Sequence, residues 1–503
     1  MFCIRETNYI RTGHNLTANR VLFDARGDYR SDFMNEILRK SNGELALGLH
    51  LGYKDADFDS RSILRMEIGQ GRKGHLLDYD FHTGNSLQLI SSPEYGRILE
   101  TAVEQMYRTS SDYSYRSHNI RHIQDYLDYF HIIADMIARR IVDSRITHAV
   151  FFSVPHLFFD TVTYEVCRAL GIPMTILTWS QFEGRFFSMR NVQNLGRFNP
   201  SATDAPLYEI ERGTVPDLFY MDDRWQREGE TGRMNPRAVL RFVSHLIRHD
   251  PLSLLRPVST ANKLRRVSKI YRSLPDWRDP FAKFFHTHQL EYFETLAKFD
   301  EVQPTFDKKY IYVPLHNQPE MSTSALGGIY RDQALMIETL ARDLPEDWEI
   351  IVKENPRQNA YARGPMFFHR LKRIGSVKIV PTNTSTTMLT AKSQFVATVT
   401  GTVGWEAIRL GRPAVVFGAA WYGSFPGVVR YNQGLNFKEV AELEVDHESL
   451  QKAAGALLAR SHKGVIERSL FKHVKSLDLA ENTSTVAETC LNLILDKIEP
   501  TFS

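Results

Sequence analysis

The chain has 503 residues, 62 of them Lys or Arg and 59 Asp or Glu, and 43% are apolar. At roughly 100–200 residues per domain this length means more than one domain, and the apolar content can offset the entropy of folding, which excludes bulk disorder. A formal charge of +3 is near balance and excludes a strongly basic nucleic-acid binder. Cys3, Cys167 and Cys490 are odd in number and far apart, so they form neither a disulfide framework nor a zinc cluster. That pattern fits a reducing cytoplasm. The N-terminal MFCIRETNYIRTGHN lacks the apolar core of a signal peptide. No apolar run approaches the ~20 residues that span a bilayer, so membrane association is expected to be peripheral.

In chain order, Ile120–Val142 reads as a long amphipathic helix and Thr147–Val154 as a buried strand. Asp160–Leu170 is helical with Gly171 as its C′ residue, and Ile172–Leu177 is the next strand. This βαβ unit lies near the end of a first α/β domain, residues 1–215. Residues 216–302 change character: Asn262–Phe285 carries seven Lys or Arg against two Asp, within what reads as a helical, basic inter-domain region. From 303 to 480 the alternation is clear. Strands are expected at Lys309–Leu315, Trp348–Lys353, Val377–Val380, Gln394–Thr400 and Pro413–Gly418. Helical spacing falls between them, at Tyr330–Leu344, Met366–Arg373, Ser385–Ala391 and Trp405–Leu410. Apolar strand runs alternating with helices indicate parallel βαβ units. Residues 481–503 hold a last helix, Thr483–Lys497, expected to pack back on the N-terminal domain. The expected architecture is therefore two Rossmann-like α/β domains facing across a cleft, with ligands at the carboxyl ends of the strands.

Four segments at such ends carry candidate chemistry. Thr400–Ala407 (TGTVGWEA) runs strand, turn, helix. Gly401, Thr402 and Gly404 would bring a phosphate to the helix N-terminus, and Glu406 could accept from ribose hydroxyls. The alternative is a tight βα turn with Glu406 on a solvated face. Lys353, Glu354 and Asn355 follow a strand and offer a charge for phosphate and a carboxylate for hydroxyl or base work; the alternative is a charged turn closed by Pro356. His316, Asn317, Gln318, Glu320 and Ser322 suit sugar or phosphate binding. In the first domain, His156 ends a strand as a possible base, with Asp160 on the following helix. Glu183 and Arg185 follow the next strand on the acceptor side. Gly69-x-Gly71-x-x-Gly74 matches a dinucleotide spacing but lacks a buried strand before it. The basic 262–285 stretch is either a solvated face or a dock for an anionic membrane or glycan.

The segments PLHNQPEMSTS, LPEDWEIIVKENP, TGTVGWEAIRLGRPAVVFG and AWYG resemble the bacterial capsule polysaccharide biosynthesis family, which is related to capsule Kdo transferases and has the GT-B fold. PHLFFD near 155–160 is similar to a segment of that family's N-terminal domain. The resemblance implies a glycosyltransferase that takes a nucleotide-sugar as substrate, with no tightly bound metal and no further cofactor. It implies a donor in the C-terminal domain, ringed by Glu320, Lys353, Glu354, Thr402 and Glu406. A glycan or glycolipid acceptor would lie on the N-terminal side. Glu320, Glu354 or His156 would take the acceptor's proton, while Lys353 and the Gly401–Gly404 turn would stabilise the leaving phosphate. Relatives often carry histidine where this chain has Asn355, which can hydrogen-bond a phosphate but cannot shuttle a proton. Three other readings stay open: a nucleotide-sugar epimerase, a polyol-phosphate transferase, and a non-catalytic glycan-binding assembly component.

Overall fold

A computed structural model describes residues 18–25, 28–52, 63–65, 91, 93, 95–108, 123–201, 205–213, 306–318, 320–355, 365–382, 384–474 and 477–503. The glycine motif at 69–74, the basic 262–285 stretch and Pro356 lie outside them.

Thirteen strands among the described residues form two sheets. The first holds β1 (Asn19–Asp24), β2 (Leu45–Gly52), β3 (Ile63–Arg65), β4 (His148–Phe151), β5 (Met174–Trp179) and β6 (Arg185–Met189). The second holds β7 (Lys309–Pro314), β8 (Trp348–Lys353), β9 (Val377–Val380), β10 (Phe395–Thr398), β11 (Ala414–Val416) and β12 (Val428–Arg430). β13 (His462–Lys463) joins the first sheet. The orders are β13-β6-β5-β4-β1-β2-β3 and β12-β11-β10-β7-β8-β9. Pairing is parallel throughout the second sheet and from β3 to β5 in the first. β5–β6 and β6–β13 are antiparallel. These are two Rossmann-like sheets in a GT-B-like arrangement.

The strand sequences show why. His148–Phe151 (HAVF) and Phe395–Thr398 (FVAT) are buried at every position. Continuous burial, rather than alternation, is the mark of a sheet covered on both faces. The crossover helices supply the cover. Phe158–Ala169 and Ile123–Asp143 pack on the first sheet, and Gln333–Arg342 with Pro365–Lys372 on the second. Gly171 has φ +68, the left-handed conformation a helix-ending residue needs.

In each sheet the strand order reverses once. In the second it reverses between β7 and β10, in the first between β1 and β4. Loops leave those neighbouring strands toward opposite faces and open a crevice at the carboxyl edge.

The chain crosses between the sheets more than once. Residues 205–213 pack on the C-terminal domain: Tyr208 N donates to Gln451 O at 3.2 Å, and His447 Nε2 meets Ile210 O at 2.7 Å. The return starts earlier than the expected boundary at 480, because His462 already pairs with Phe186. The last helix runs Leu479–Ile494, capped by Asp478, whose side chain accepts from Ala480 N and Glu481 N. It buries Val486, Cys490 and Leu493 against Phe33, Met34 and Ile37 of the helix Asp28–Lys40. Phe502 then bridges Met189 and is fully buried. Among the described residues no helix is long and apolar enough to cross a membrane.

Two histidines sit under this returning segment. His148 Nε2 lies 2.9 Å from Thr175 Oγ1, and His462 Nε2 lies 2.6 Å from Ser188 Oγ. Burial first, then Arg190 and Arg185 respectively, push both imidazoles from 6.5 down to about 4. The unfolded chain therefore takes up protons that the folded chain refuses as pH falls from 6.5 toward 4. Stability is present above that window and lost on acidification, by about 1.4 kcal/mol per pH unit for each histidine. Urea midpoints measured from pH 7 to 4.5 should fall more steeply for wild type than for His148→Gln/His462→Gln; parallel curves would contradict the assignment.

Candidate active site

A cleft of about 390 Å³ opens at the reversal point of the second sheet and is lined on its other side by residues of the first. Pro314–Asn317 leave β7 on one side, and Thr400–Val403 leave β10 on the other. Thr178, Trp179 and Gln181, at the end of β5, form the opposing wall with Phe187 and Trp421.

The turn after β10 is built for close approach. Gly401 is the N-cap of the helix Thr402–Arg409, with extended φ −71 and ψ 154. Its N–H donates to Thr398 Oγ1 at 3.2 Å. A Cβ at position 401 would lie 2.5 Å from His316 Cε1 and 2.9 Å from Thr398 Oγ1, so a side chain is excluded there. Gly404 has a different reason to be glycine. A Cβ would strike the Tyr422 hydroxyl, which donates to the Gly401 carbonyl. Burial pushes the Tyr422 phenol up, so it stays a donor. Thr402 and Val403 open the helix at the cleft wall, where the first N–H groups have no partner within the helix, while Gly404 N already donates to Gly401 O at 3.1 Å.

His316 is held from two sides. Its N–H donates to Gln333 Oε1 at 2.7 Å, and its Nε2 meets Thr398 Oγ1 at 2.7 Å. Glu320 caps a π-helical turn, Met321–Ala325. Its carboxylate is exposed, and it accepts from Asn317 Nδ2 at 2.9 Å and Ser322 Oγ at 3.4 Å. Thr400 Oγ1 donates to Ser322 O at 2.7 Å and ties this turn to the Gly401 loop.

Of the residues expected around a donor, His316, Glu320, Ser322, Asn355, Gly401 and Thr402 line the cleft. Lys353, Glu354, Gln318, Gly404 and Glu406 do not. The Lys353 ammonium donates to Thr384 O and Thr386 Oγ1, both at 2.7 Å. Burial holds it below the ordinary lysine range, and Glu406 pulls it back up. Burial raises the Glu406 carboxyl against the charges of Arg409 and Lys353. Glu354 is buried and folds back to accept from Asn355 N at 2.6 Å. Gln318 is buried and reaches Glu104 in the other domain.

Neither His156 nor the acceptor-side residues Asp160, Glu183 and Arg185 line the cleft. His156 Nδ1 sits 2.7 Å from Val154 O and does not line the cleft. Asp160 is fully buried and accepts from Leu157 N at 2.8 Å, closing the start of its own helix. Glu183 lies in the tight β5–β6 turn, and Arg185 is on β6, donating to Ser461 O at 3.4 Å. An antiparallel turn carries both toward the β13 edge and away from the cleft.

The wall that replaces them is Trp179, Gln181 and Trp421. Trp421 is fixed by Trp405 at 5.1 Å and Phe187 at 6.5 Å between ring centroids. Gln181 Oε1, Asn317 Oδ1 and Trp421 Nε1 are buried and make no hydrogen bond among the described residues. Together with the helix N-terminus they can receive a polar ligand with hydroxyl and anionic groups. Trp421 lies in the AWYG segment already noted. Thr398 carries no sequence signal, being one polar residue in an apolar strand, whereas Gln181 lies in the Ser180–Arg185 segment expected to line the cleft through Glu183 and Arg185.

The fold and the cleft define a two-domain, GT-B-like protein with its cleft at the strand carboxyl ends. Residues 288–460 match the family model described as capsule polysaccharide biosynthesis protein, the family the motifs resemble. No curated protein matches the chain significantly. Among solved structures, it is similar to the Thermosulfurimonas dismutans KpsC β-Kdo 2,7 transferase at 17% identity and TM-score 0.24, over 40% of this chain and 61% of that one. The chain thus spans under two thirds of that protein's length. It is similar to the KpsC β-Kdo 2,4 transferase at 13% identity and TM-score 0.26, covering 61% and 79%. It is also similar to the Methanocaldococcus jannaschii UDP-GlcNAc 2-epimerase at 12% identity and TM-score 0.19, covering 95% and 99%.

Thr398 is the hinge of the cleft floor, because its one hydroxyl serves both Gly401 N and His316 Nε2. Thr398→Val keeps the shape and leaves two buried groups unmatched, a loss of about 1–3 kcal/mol. Urea unfolding should show that loss for Thr398→Val and much less for Thr398→Ser. Equal midpoints for Thr398→Val and wild type would show that the hydroxyl does not hold the floor.

Proposed function

We propose that the chain is a glycosyltransferase that moves a sugar from a nucleotide-sugar donor to a growing surface polysaccharide or glycolipid. The observation that carries this reading is the meeting, at one sheet reversal, of a helix N-terminus opening at Thr402–Val403 with His316 and the exposed carboxylate of Glu320. The donor's phosphates fit the helix N-terminus, where N–H groups and the dipole favour an anion. As the glycosidic bond to phosphate breaks, charge grows on the leaving oxygen beside those N–H groups, which lowers the barrier. The sugar then lies toward Trp179, Gln181 and Trp421, an indole-and-amide wall suited to a pyranose ring and its hydroxyls.

Of the three expected bases, Glu320 alone lines the cleft, and we assign it the acceptor hydroxyl's proton. Since main-chain donors meet the phosphate, the reaction requires no metal in this reading. The acceptor enters from the N-terminal domain side. Work on such an acceptor fits a cytoplasmic protein in peripheral contact with the inner membrane or an export assembly.

The test has two arms. Thermal-shift measurements with CMP, CDP, UDP, GDP and ADP, in EDTA, should find a nucleotide that stabilises by ~2.7 kcal/mol at 100-fold over its dissociation constant. Glu320→Gln should keep that shift and lose transfer by ~10²-fold or more. Conversion of donor alone into a new isomer would assign an epimerase instead. Glycan binding without nucleotide binding would assign an assembly component.

A further inference from the structure

A line of buried polar groups runs from the N-terminal domain to the cleft floor. It starts at Glu104, on the helix Tyr95–Arg108. Gln318 Nε2 donates to Glu104 Oε1 at 3.0 Å. Gln333 Nε2 donates to Gln318 Oε1 at 3.1 Å, and His316 N donates to Gln333 Oε1 at 2.7 Å. His316 Nε2 then meets Thr398 Oγ1, which accepts from Gly401 N at the start of the helix. Gln318, Gln333 and Thr398 are 4%, 0% and 0% exposed, so water does not substitute for these bonds.

The two ends give this line one polarity. A carboxylate only accepts, so Gln318 must turn its NH₂ to Glu104. Its carbonyl is then left for the Gln333 NH₂, and the Gln333 carbonyl for a backbone N–H that only donates. Neither amide can flip without setting two donors or two acceptors against each other. The carboxylate itself is held in place: Arg331 donates its Nε to Glu104 Oε2, and its Nη2 lies 3.0 Å from Glu100 Oε2. Arg331 and Glu104 are only 11% and 13% exposed, which strengthens the pair relative to a surface one. One carboxylate oxygen is thus anchored by Arg331 and the other is committed to Gln318.

We propose that Glu104 is a positioning residue for the cleft. Acting across the domain boundary through Gln318 and Gln333, it fixes the His316 backbone, and through Thr398 the mouth of the Gly401 helix. The inference takes its functional weight from the donor site proposed above, but its geometry can be judged without any ligand. An interface salt bridge that merely holds the domains together would lower stability on removal and leave His316 where it is. A relay would move His316.

The experiment uses the full chain labelled with ¹⁵N-histidine, the His316 amide signal being the one lost in His316→Gln. Without ligand, that signal should shift in Glu104→Gln and in Gln318→Leu, and stay in place in Glu100→Gln, which touches Arg331 but not the relay. No shift in Glu104→Gln and Gln318→Leu would overturn the proposal, as would an equal shift in Glu100→Gln. The nucleotide that binds wild type should bind both relay variants about tenfold more weakly, and no more weakly still when they are combined, since both cut one chain of bonds. Additive losses would also overturn the relay. If wild type binds no nucleotide, the donor-site reading falls, and the His316 signal alone decides the relay.

Discussion

A parallel sheet is held together here by cover on both of its faces, and this molecule is arranged around that constraint. Strands such as Phe395–Thr398 are buried throughout, so helices must cover both faces and each crossover must return the chain to the same edge. The faces are then used up by packing. What stays open is the carboxyl edge, at the point where strand order reverses between β7 and β10. The Gly401 turn, His316 and the Glu320 loop meet there, at the kind of crevice that open α/β sheets leave beside a reversal of strand order.

The same constraint accounts for the two-way exchange between domains. β6 turns antiparallel and becomes an edge, which two residues of the returning chain, His462 and Lys463, cover. Covering an edge strand removes a template for unwanted pairing. The helix Leu479–Ile494 then buries the face of Asp28–Lys40 that would otherwise be exposed. In the other direction, residues 205–213 lean on the C-terminal domain. The two bodies are therefore tied at both chain crossings and again at Arg331–Glu104, so the cleft between them has a defined width.

The parallel alternation of the C-terminal half was legible because each strand is a short apolar run between helical periods. The glycine turn at 400–404 was legible for the same reason: strand end, glycine and helix start fall in register. What the sequence could not supply was direction. Lys353, Glu354 and Glu406 sit beside the cleft in sequence, yet Lys353 is tied to Thr384 and Thr386, and Glu354 to its own turn. The polar side chains after a strand alternate sides, and one residue of register decides which reaches a ligand. On the N-terminal side the ambiguity is larger. A polar residue after a strand reads as a site residue, whereas Asp160 satisfies the first turn of its helix and Arg185 belongs to a strand. Caps and edge strands use the same residue types as active sites, so composition alone does not separate them.

Gln318 shows how far a residue can stand from its expected role. Its place in the loop after β7 suggested a hand for a ligand. Instead it is buried and spends its amide joining Glu104, 214 positions away, to Gln333. No local pattern encodes a partner at that separation, since it depends on how two domains dock. Yet the chemistry of such a buried line is strict. Each amide has two donors on one side and an acceptor on the other, and in low dielectric a mismatched pair costs far more than a matched one returns. A loop that must present His316 at one height over Gly401 gains from being locked by groups that have one way to agree. The cleft floor is therefore specified partly from outside its own domain, through a carboxylate that never touches the cleft.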